Sequence, residues 1–563
     1  MRNSIALSAL ILAVSCSLPA QEGLRFEEGY SLSHEETINI YQGFTERFNK
    51  CRLEVAGSSD TGKPIHAFIA GPEGEEFPTM MILNAIHPGE PCGVDASVLF
   101  IEELLRTDSK VLDKLRIAIV PMYNIGGALN RGCCIRANQD GPIEQGFRGN
   151  SKYLDLNRDF MKMDSRNSEA FVKLFHQLKP AILVDTHTSN GADYQHTMTV
   201  IHSHLDMVAP HLANSYRYSM IPSMYEAMES TYPMAPYVTL RGETPESGIQ
   251  DFPDWPRYST GYAALFDCFG FITEAHMLKP YRDRVMATYQ FLNALAKYCS
   301  EQAQTIRMNQ LRAMRDTRKM RSTTLDLELD TSRVDSVRFM GFKHEYRKSE
   351  VTGLDRLFYD RSAPWTKNIP HYKNYIRRDT VEIPEYYIVP QAWKEVIQRL
   401  QWNQVEMEAL EQDTTMVVEV YYIEGFESVD KPYEGHYLHD KVKTRMTKQA
   451  VNLYAGDIMI PTRQFAKRYL VQSLEPRAKD SFFAWGFFDS VLQQKEWFSP
   501  YVFEDKAAEM LKENPELKAE FEKKREEDES FREDAFSQLL FLYRKSPYYE
   551  IGHNRYPVFR LTP

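Results

Sequence analysis

Two rhythms of apolar residues alternate along the first half of this 563-residue chain. Short, nearly unbroken apolar runs at 66–70, 79–86, 116–122 (RIAIVPM), 181–185 (AILVD) and 270–273 (GFIT) have the form of strands buried on both faces of a sheet. Between them the period lengthens. Val94, Val98, Ile101 and Leu105 recur at i, i+4, i+7 and i+11, which is one helix face, with Glu102 and Glu103 on another. Phe171, Leu174, Phe175 and Leu178 mark a second helix ahead of 181–185, and 35–48 reads as a third. Strands alternating with helices predict an α/β fold over residues 21–305: a mixed, largely parallel sheet covered by helices.

The pattern changes beyond that point. Residues 306–324 are rich in Arg and Met and weakly patterned, so a linker is expected there. From 325 to 563 the run MVVEVYYI at 416–423 is β-like, a helix is expected at 392–400, and 504–542 is helical and dense in charge. The alternating charges at 518–528 read as a solvated helix face. A C-terminal accessory domain, mixed or mainly β with terminal helices, is therefore expected over 325–563. At the other end, Arg2 precedes an apolar run at 5–14, the form of a signal peptide over residues 1–20 with cleavage after Ala20. Lipid attachment at Cys16 is the alternative. Either way the chain is expected to be exported, secreted or periplasmic, and no later stretch is long and apolar enough to be a transmembrane segment.

Composition narrows the choice of function. Hydrophobic content of 43% with 12% aromatic residues predicts folded, multidomain protein rather than pervasive disorder. A net charge of −11, with no basic block, argues against nucleic acid as a partner. Of seven cysteines, six would remain after cleavage: Cys51, Cys92, Cys133, Cys134, Cys268 and Cys299. They lack CxxC spacing, so neither a thiolate metal site nor a disulfide framework is implied. The adjacent Cys133 and Cys134 read as free or separately paired.

Candidate chemistry gathers where the apolar runs end, the place where ligands collect in open α/β sheets. Pro88 and Gly89 stop the run that ends at Ile86 and put His87 and Glu90 on a strand-to-helix turn, three residues apart, able to share one metal ion. That spacing alone means little: with 15 His and 78 acidic residues, chance supplies about two His-x-x-acid pairs, and the chain has one. His187 follows the run at 181–185 and would complete a His, Glu, His set, the ligands of a catalytic zinc site; a buried structural histidine is the competing reading. Glu274 follows 270–273, where a carboxylate beside a metal-activated water can take its proton and pass it to a leaving amine. Its bland alternative is an ion pair with Lys279. His276 is either a support for the site or structural. In GFRGNSKYLDLNRDF at 146–160, Arg148 and Arg158 are fork-shaped donors for a carboxylate or an oxyanion, and Asp155 is a candidate to fix the tautomer of His87.

With HPGE at 87–90, DLNRDF at 155–160, DTHT at 185–188 and TEAH at 273–276, in that order, the chain resembles the zinc carboxypeptidases (metallocarboxypeptidases), of the large bacterial type with a C-terminal extension. The motifs span residues 60–305, about half the chain. The resemblance implies one Zn2+ held by His87, Glu90 and His187, with Glu274 as general base and then acid. It implies Asn157 and Arg158 on the substrate's terminal carboxylate, Arg148 polarising the scissile carbonyl, and Asp155 orienting His87. Arg136, in RANQDG, competes with Arg148. The family's Asn-Pro-Asp-Gly turn is here Asn124-Ile125-Gly126-Gly127. Tyr258 and Tyr262 are both candidates for the tyrosine at the site mouth, and 257–262 for the side-chain pocket.

The expectation is a zinc carboxypeptidase acting on peptides with a free C-terminal carboxylate. An amidohydrolase acting on N-acyl amino acids or cell-wall peptides keeps the same chemistry with another substrate. A catalytically silent glycan- or protein-binding protein is the alternative from a different class.

Overall fold

The computed structural model describes residues 23–562, so the expected signal peptide and Cys16 lie outside the described residues. Eight strands form the main sheet, in the order Cys51–Ser58, Pro64–Ala70, Arg116–Val120, Thr79–Leu83, Ile182–Ser189, Phe269–His276, Met198–His202 and Ala235–Pro236. The four central strands, from Arg116–Val120 to Phe269–His276, run parallel. Antiparallel pairings flank them on both sides, so the sheet is mixed with a parallel centre, as expected from the sequence.

Burial explains the apolar runs. In Thr79–Leu83 every residue is buried, with Met80 and Ile82 packed in one core and Met81 and Leu83 in the other, as the twofold period of a strand requires. The first core is closed by the helices His34–Arg47, Cys92–Arg106 and Tyr281–Glu301. The second contains Phe171, Phe175 and Tyr262, and it continues without a break into Tyr387, Tyr469, Phe482 and Phe488 of the C-terminal half. The segment expected to be a linker is corrected by the structure. Residues Ala303–Lys319 form a helix, Ile306 and Ala313 are buried in the first core, and Thr317 Oγ1 donates to Asp267 Oδ2 at 2.9 Å. Charged residues hid this helix because only a narrow stripe of it is apolar.

The C-terminal half contributes a six-stranded antiparallel sheet containing the long pair Thr414–Ser428 and His439–Leu453. A second long hairpin, Asp335–Lys348 with Asp355–Tyr372, pairs along Ile249–Gln250. Helices Pro500–Glu513, Pro515–Glu527, Glu529–Glu533 and Ala535–Tyr543 follow and share a small core of their own. Among the described residues all six cysteines are free, and no helix is long and apolar enough to cross a membrane.

Candidate metal and substrate site

Three parallel strands bring the site together at their carboxyl ends. The chain leaves Thr79–Leu83 and turns through 84–91, with Ala85 at φ 55°, into the helix Cys92–Arg106. That helix lies close against the next strand because residue 93 is glycine: a methyl group there would sit 2.0 Å from Thr186 Oγ1. Asn124 ties the turn down from behind. Its Nδ2 donates to the carbonyls of Ile86 at 3.2 Å and Arg148 at 3.0 Å, while its Oδ1 accepts from Gly127 N at 2.9 Å. Asn124-Ile125-Gly126-Gly127 therefore fastens two site loops to each other. Gly127 permits it, since a side chain there would meet the carbonyl oxygen of Phe147 at 2.3 Å.

The strand Ile182–Ser189 runs further than its apolar core, so His187 lies within it rather than after it, and the same holds for Glu274 in Phe269–His276. The two residues are register partners on neighbouring strands. His187 gathers with His87 and Glu90 from the first turn: the three are buried with one ligand atom each inside a common 4.8 Å. His87 Nδ1 and His187 Nδ1 are 3.1 Å apart; Glu90 Oε2 is 3.1 Å from His187 Nδ1, and Glu90 Oε1 3.4 Å from His87 Nδ1. Three lone-pair donors so close repel one another unless a cation or a shared proton sits among them. Each outer ring nitrogen is paired with a carboxylate. His87 Nε2 lies 2.8 Å from Asp155 Oδ1 and His187 Nε2 lies 2.9 Å from Asp185 Oδ2, so a neutral ring at either position would give its proton outward and turn its free nitrogen inward. That is the arrangement in which carboxylates support metal-ligating histidines, and the donor set fits a metal ion.

Electrostatics follow from the same contacts. Burial opposes charge on Glu90, but Arg136 first, then His87 and His187, hold its carboxyl well below the usual carboxylate range. Burial also opposes charge on His187, and Asp185 and Glu90 overcome it, raising the ring well above the ordinary histidine value. Asp155, likewise buried, is held far down by His87, Arg148 and Arg158. Glu274 goes the other way. It keeps part of its surface open to the pocket, yet the protein packed around it makes charging costly, and with Glu90 and Asp185 nearby its carboxyl is pushed up to about 8 against the opposing pull of His187. Lys279 does not relieve it: its Nζ donates to the carbonyl of Tyr194 and lies 4.0 Å from Asp193.

The triad opens into a pocket of about 210 Å³. Arg136, Arg148, Asn157, Arg158, Tyr258 and Glu274 all line it. Arg136 Nη1 pairs with Glu90 Oε1; Arg148 donates through Nε to Asp155 Oδ2 at 3.0 Å and brings Nη1 within 3.5 Å of Glu90 Oε1. Arg148 is the more open of the two, at 48% side-chain exposure against 19%. Arg158 lies over the Tyr258 ring, 4.4 Å from its centre.

Not every expected residue arrives. Tyr262 is fully buried away from the pocket, with its hydroxyl donating to Asn403 Oδ1 at 2.6 Å. The helix Ser259–Ala264 begins at Ser259, so Tyr258 and Tyr262, four residues apart, fall on opposite sides of a helix start. Arg257 turns to Asp480 at 2.7 Å rather than into the pocket. His276 is structural, its Nε2 lying 2.8 Å from the carbonyl oxygen of Ala192 and its Nδ1 accepting from Leu278 N. Other residues were missed. Asp185 carries the second histidine-supporting role and accepts from Ser259 Oγ at 2.6 Å; the signal was present, since Asp-x-His on a strand puts both side chains on one face. Tyr237, Ile201, Phe252 and Ile272 also line the pocket, beside Thr188, Ser189 and Asn190 that follow His187, and nothing in the local sequence of those four announces it.

Fold and site together define a hydrolase of the metallopeptidase type. Residues 39–232 match the zinc carboxypeptidase family model. The matched span holds the metal-site triad, Asp155, Asn157 and Arg158; Glu274 lies beyond it. Carboxypeptidase 2 of Trichophyton equinum is 19% identical over 424 residues, 72% of each chain. Among solved structures, a metallo-carboxypeptidase from Burkholderia cenocepacia is 16% identical, with a TM-score of 0.37 over 48% of this chain and 70% of that one. Carboxypeptidase A from Helicoverpa armigera is also 16% identical, with a TM-score of 0.36 over 50% and 76%.

Proposed function

We propose that the protein is a zinc-dependent carboxypeptidase that removes C-terminal residues from peptides. The observation that carries this reading is that a carboxylate-binding arginine, Arg158, and an acidic residue poised to exchange protons, Glu274, line one small pocket with the His87, Glu90 and His187 triad. A volume of about 210 Å³ suits one terminal residue better than a continuing chain.

In this reading His87, Glu90 and His187 hold the ion, which when bound supplies Lewis acidity and a water of lowered pKa. Asn157 and Arg158 bind the terminal carboxylate of the peptide, the guanidinium offering two parallel donors. The apolar wall of Ile201, Phe252 and Ile272 receives the terminal side chain. Arg148, anchored on Asp155, donates to the carbonyl oxygen of the scissile bond as negative charge develops there. Glu274 accepts a proton from the attacking water and delivers it to the departing amine.

The test is release of free amino acids from short peptides, with chelator treatment and Glu274→Gln as controls. Both controls are expected to abolish release, the substitution by at least about a hundredfold with bound zinc retained. Release that survives both would remove this mechanism. Cleavage of acylated amino acids or cell-wall peptides in preference to ordinary peptides would move the assignment to an amidohydrolase.

A further inference from the structure

The long strand pair Thr414–Ser428 and His439–Leu453 continues into an excursion that ends against the substrate pocket. Its tip is the tight turn Tyr433-Glu434-Gly435-His436, closed by Tyr433 N to His436 O at 2.7 Å and His436 N to Tyr433 O at 3.0 Å. The central residues have φ of 51° and 86°, the two positive values of a type I′ turn. Gly435 adopts this without strain. Glu434 does not, and a side chain held in that region is kept there by its surroundings.

Those surroundings are the site segment. Glu434 Oε2 accepts from Asp155 N at 2.6 Å, the Tyr433 hydroxyl accepts from Arg158 Nε at 3.0 Å, and His436 Nε2 lies 2.7 Å from Asp164 Oδ2. Tyr433 does not line the pocket; it stands behind Arg158, its ring stacked on Trp485 with centroids 6.1 Å apart. Arg158 is thus gripped twice. Tyr258 beneath its face fixes the guanidinium plane, and the hydroxyl on Nε fixes rotation within that plane. Arg158 Nη1 also donates one N–H to the carbonyl of Asn157 at 2.8 Å, which leaves its second N–H and those of Nη2 for a ligand.

We propose that Tyr433, from the C-terminal half of the chain, is a positioning residue that aims Arg158 at the substrate's terminal carboxylate. Selectivity for a free C-terminus then depends on a turn some 275 residues away in sequence. The role assigned to Arg158 rests on the carboxypeptidase reading, but the Tyr433–Arg158 coupling is measurable without turnover.

The experiment measures binding of N-acetyl-phenylalanine and its carboxamide to the full-length, zinc-loaded protein carrying Glu274→Gln, with and without Tyr433→Phe. Without the second change, the carboxylate ligand is expected to bind more tightly than the carboxamide. With it, that preference should fall about tenfold, while carboxamide affinity stays within about twofold, as for loss of one hydrogen bond to a charged group. Phenylalanine preserves the stack on Trp485, so the thermal midpoint should not move, and circular dichroism on the same samples checks this. An unchanged preference, or none in the parent protein, overturns the proposal. Amino-acid release by the unaltered chain is scored separately: a protein with the Tyr433-dependent preference that releases nothing from peptides overturns the function and leaves the positioning role standing.

Discussion

His187 and His176 are both buried histidines of the same half of the chain, and they have opposite fates. His176 sits between the Tyr262 hydroxyl at 3.2 Å and Asn403 Oδ1 at 3.4 Å, with no carboxylate beside it; burial dominates and its pKa falls to about 4. His187 is equally enclosed, but Asp185 on one nitrogen and Glu90 on the other reverse the effect of burial and raise it. Burial by itself makes a neutral, inert ring. What makes a ligand is a carboxylate that turns one nitrogen outward and leaves the other facing a second ligand, and His87 with Asp155 repeats the device.

The comparison can be broken most directly by deletion. His187→Ala is expected to lose stoichiometric zinc after dialysis, and all activity with it, whereas His176→Ala should keep both; metal content by mass spectrometry decides, and zinc retained without His187 would place the ion elsewhere. The next largest effect is in acid stability. The folded pKa of His176 is about 4 against 6.5 for an unperturbed ring, so between those values the unfolded chain binds the proton and the folded one does not. The stability at stake is whole above pH 6.5, declines as pH falls toward 4, and amounts to roughly 3 kcal/mol at most. Metal-free His176→Gln should therefore show a shallower loss over that window in denaturant melts than the metal-free parent, by one proton's worth of slope. Parallel slopes would mean that the ring is not held neutral.

Asp185→Asn sharpens the comparison from the other side, because it removes the charge and spares the shape. Zinc affinity measured by chelator competition is expected to fall about 10- to 100-fold, as for other losses of a histidine-supporting carboxylate. The smallest effect is reserved for Tyr262→Phe. It removes a buried hydroxyl from the His176 cluster at a cost of about 1 kcal/mol in stability, with no change in KM for peptides, and a raised KM would return Tyr262 to the pocket.

Much of this was legible in the chain. The runs at 79–86, 181–185 and 270–273 mark strands because both faces of each are buried, and they locate the loop of His87 and Glu90 and the positions of His187 and Glu274. Tyr262 was misread for want of a helix boundary: a residue in the first turn of Ser259–Ala264 swings to the core while Tyr258, at its cap, stays at the site. The helix Ala303–Lys319 was misread because its buried stripe holds only a few residues, with Gln310 and Thr317 standing where apolar side chains would have signalled a core face.

The sequence by itself determined the sheet-and-helix architecture of the first half, and it offered His87, Glu90 and His187 as ligand candidates, Glu274 as the general base candidate and Asp155 as a candidate partner of His87. The architecture follows from periodicity, and the candidates follow from short motifs at the ends of apolar runs. Tertiary structure alone decided which tyrosine reaches the pocket, and that Tyr433 and Glu434 reach back to Arg158 and Asp155. Such contacts join residues as much as 279 positions apart. No local pattern encodes them, because they depend on where segments far apart in the sequence meet.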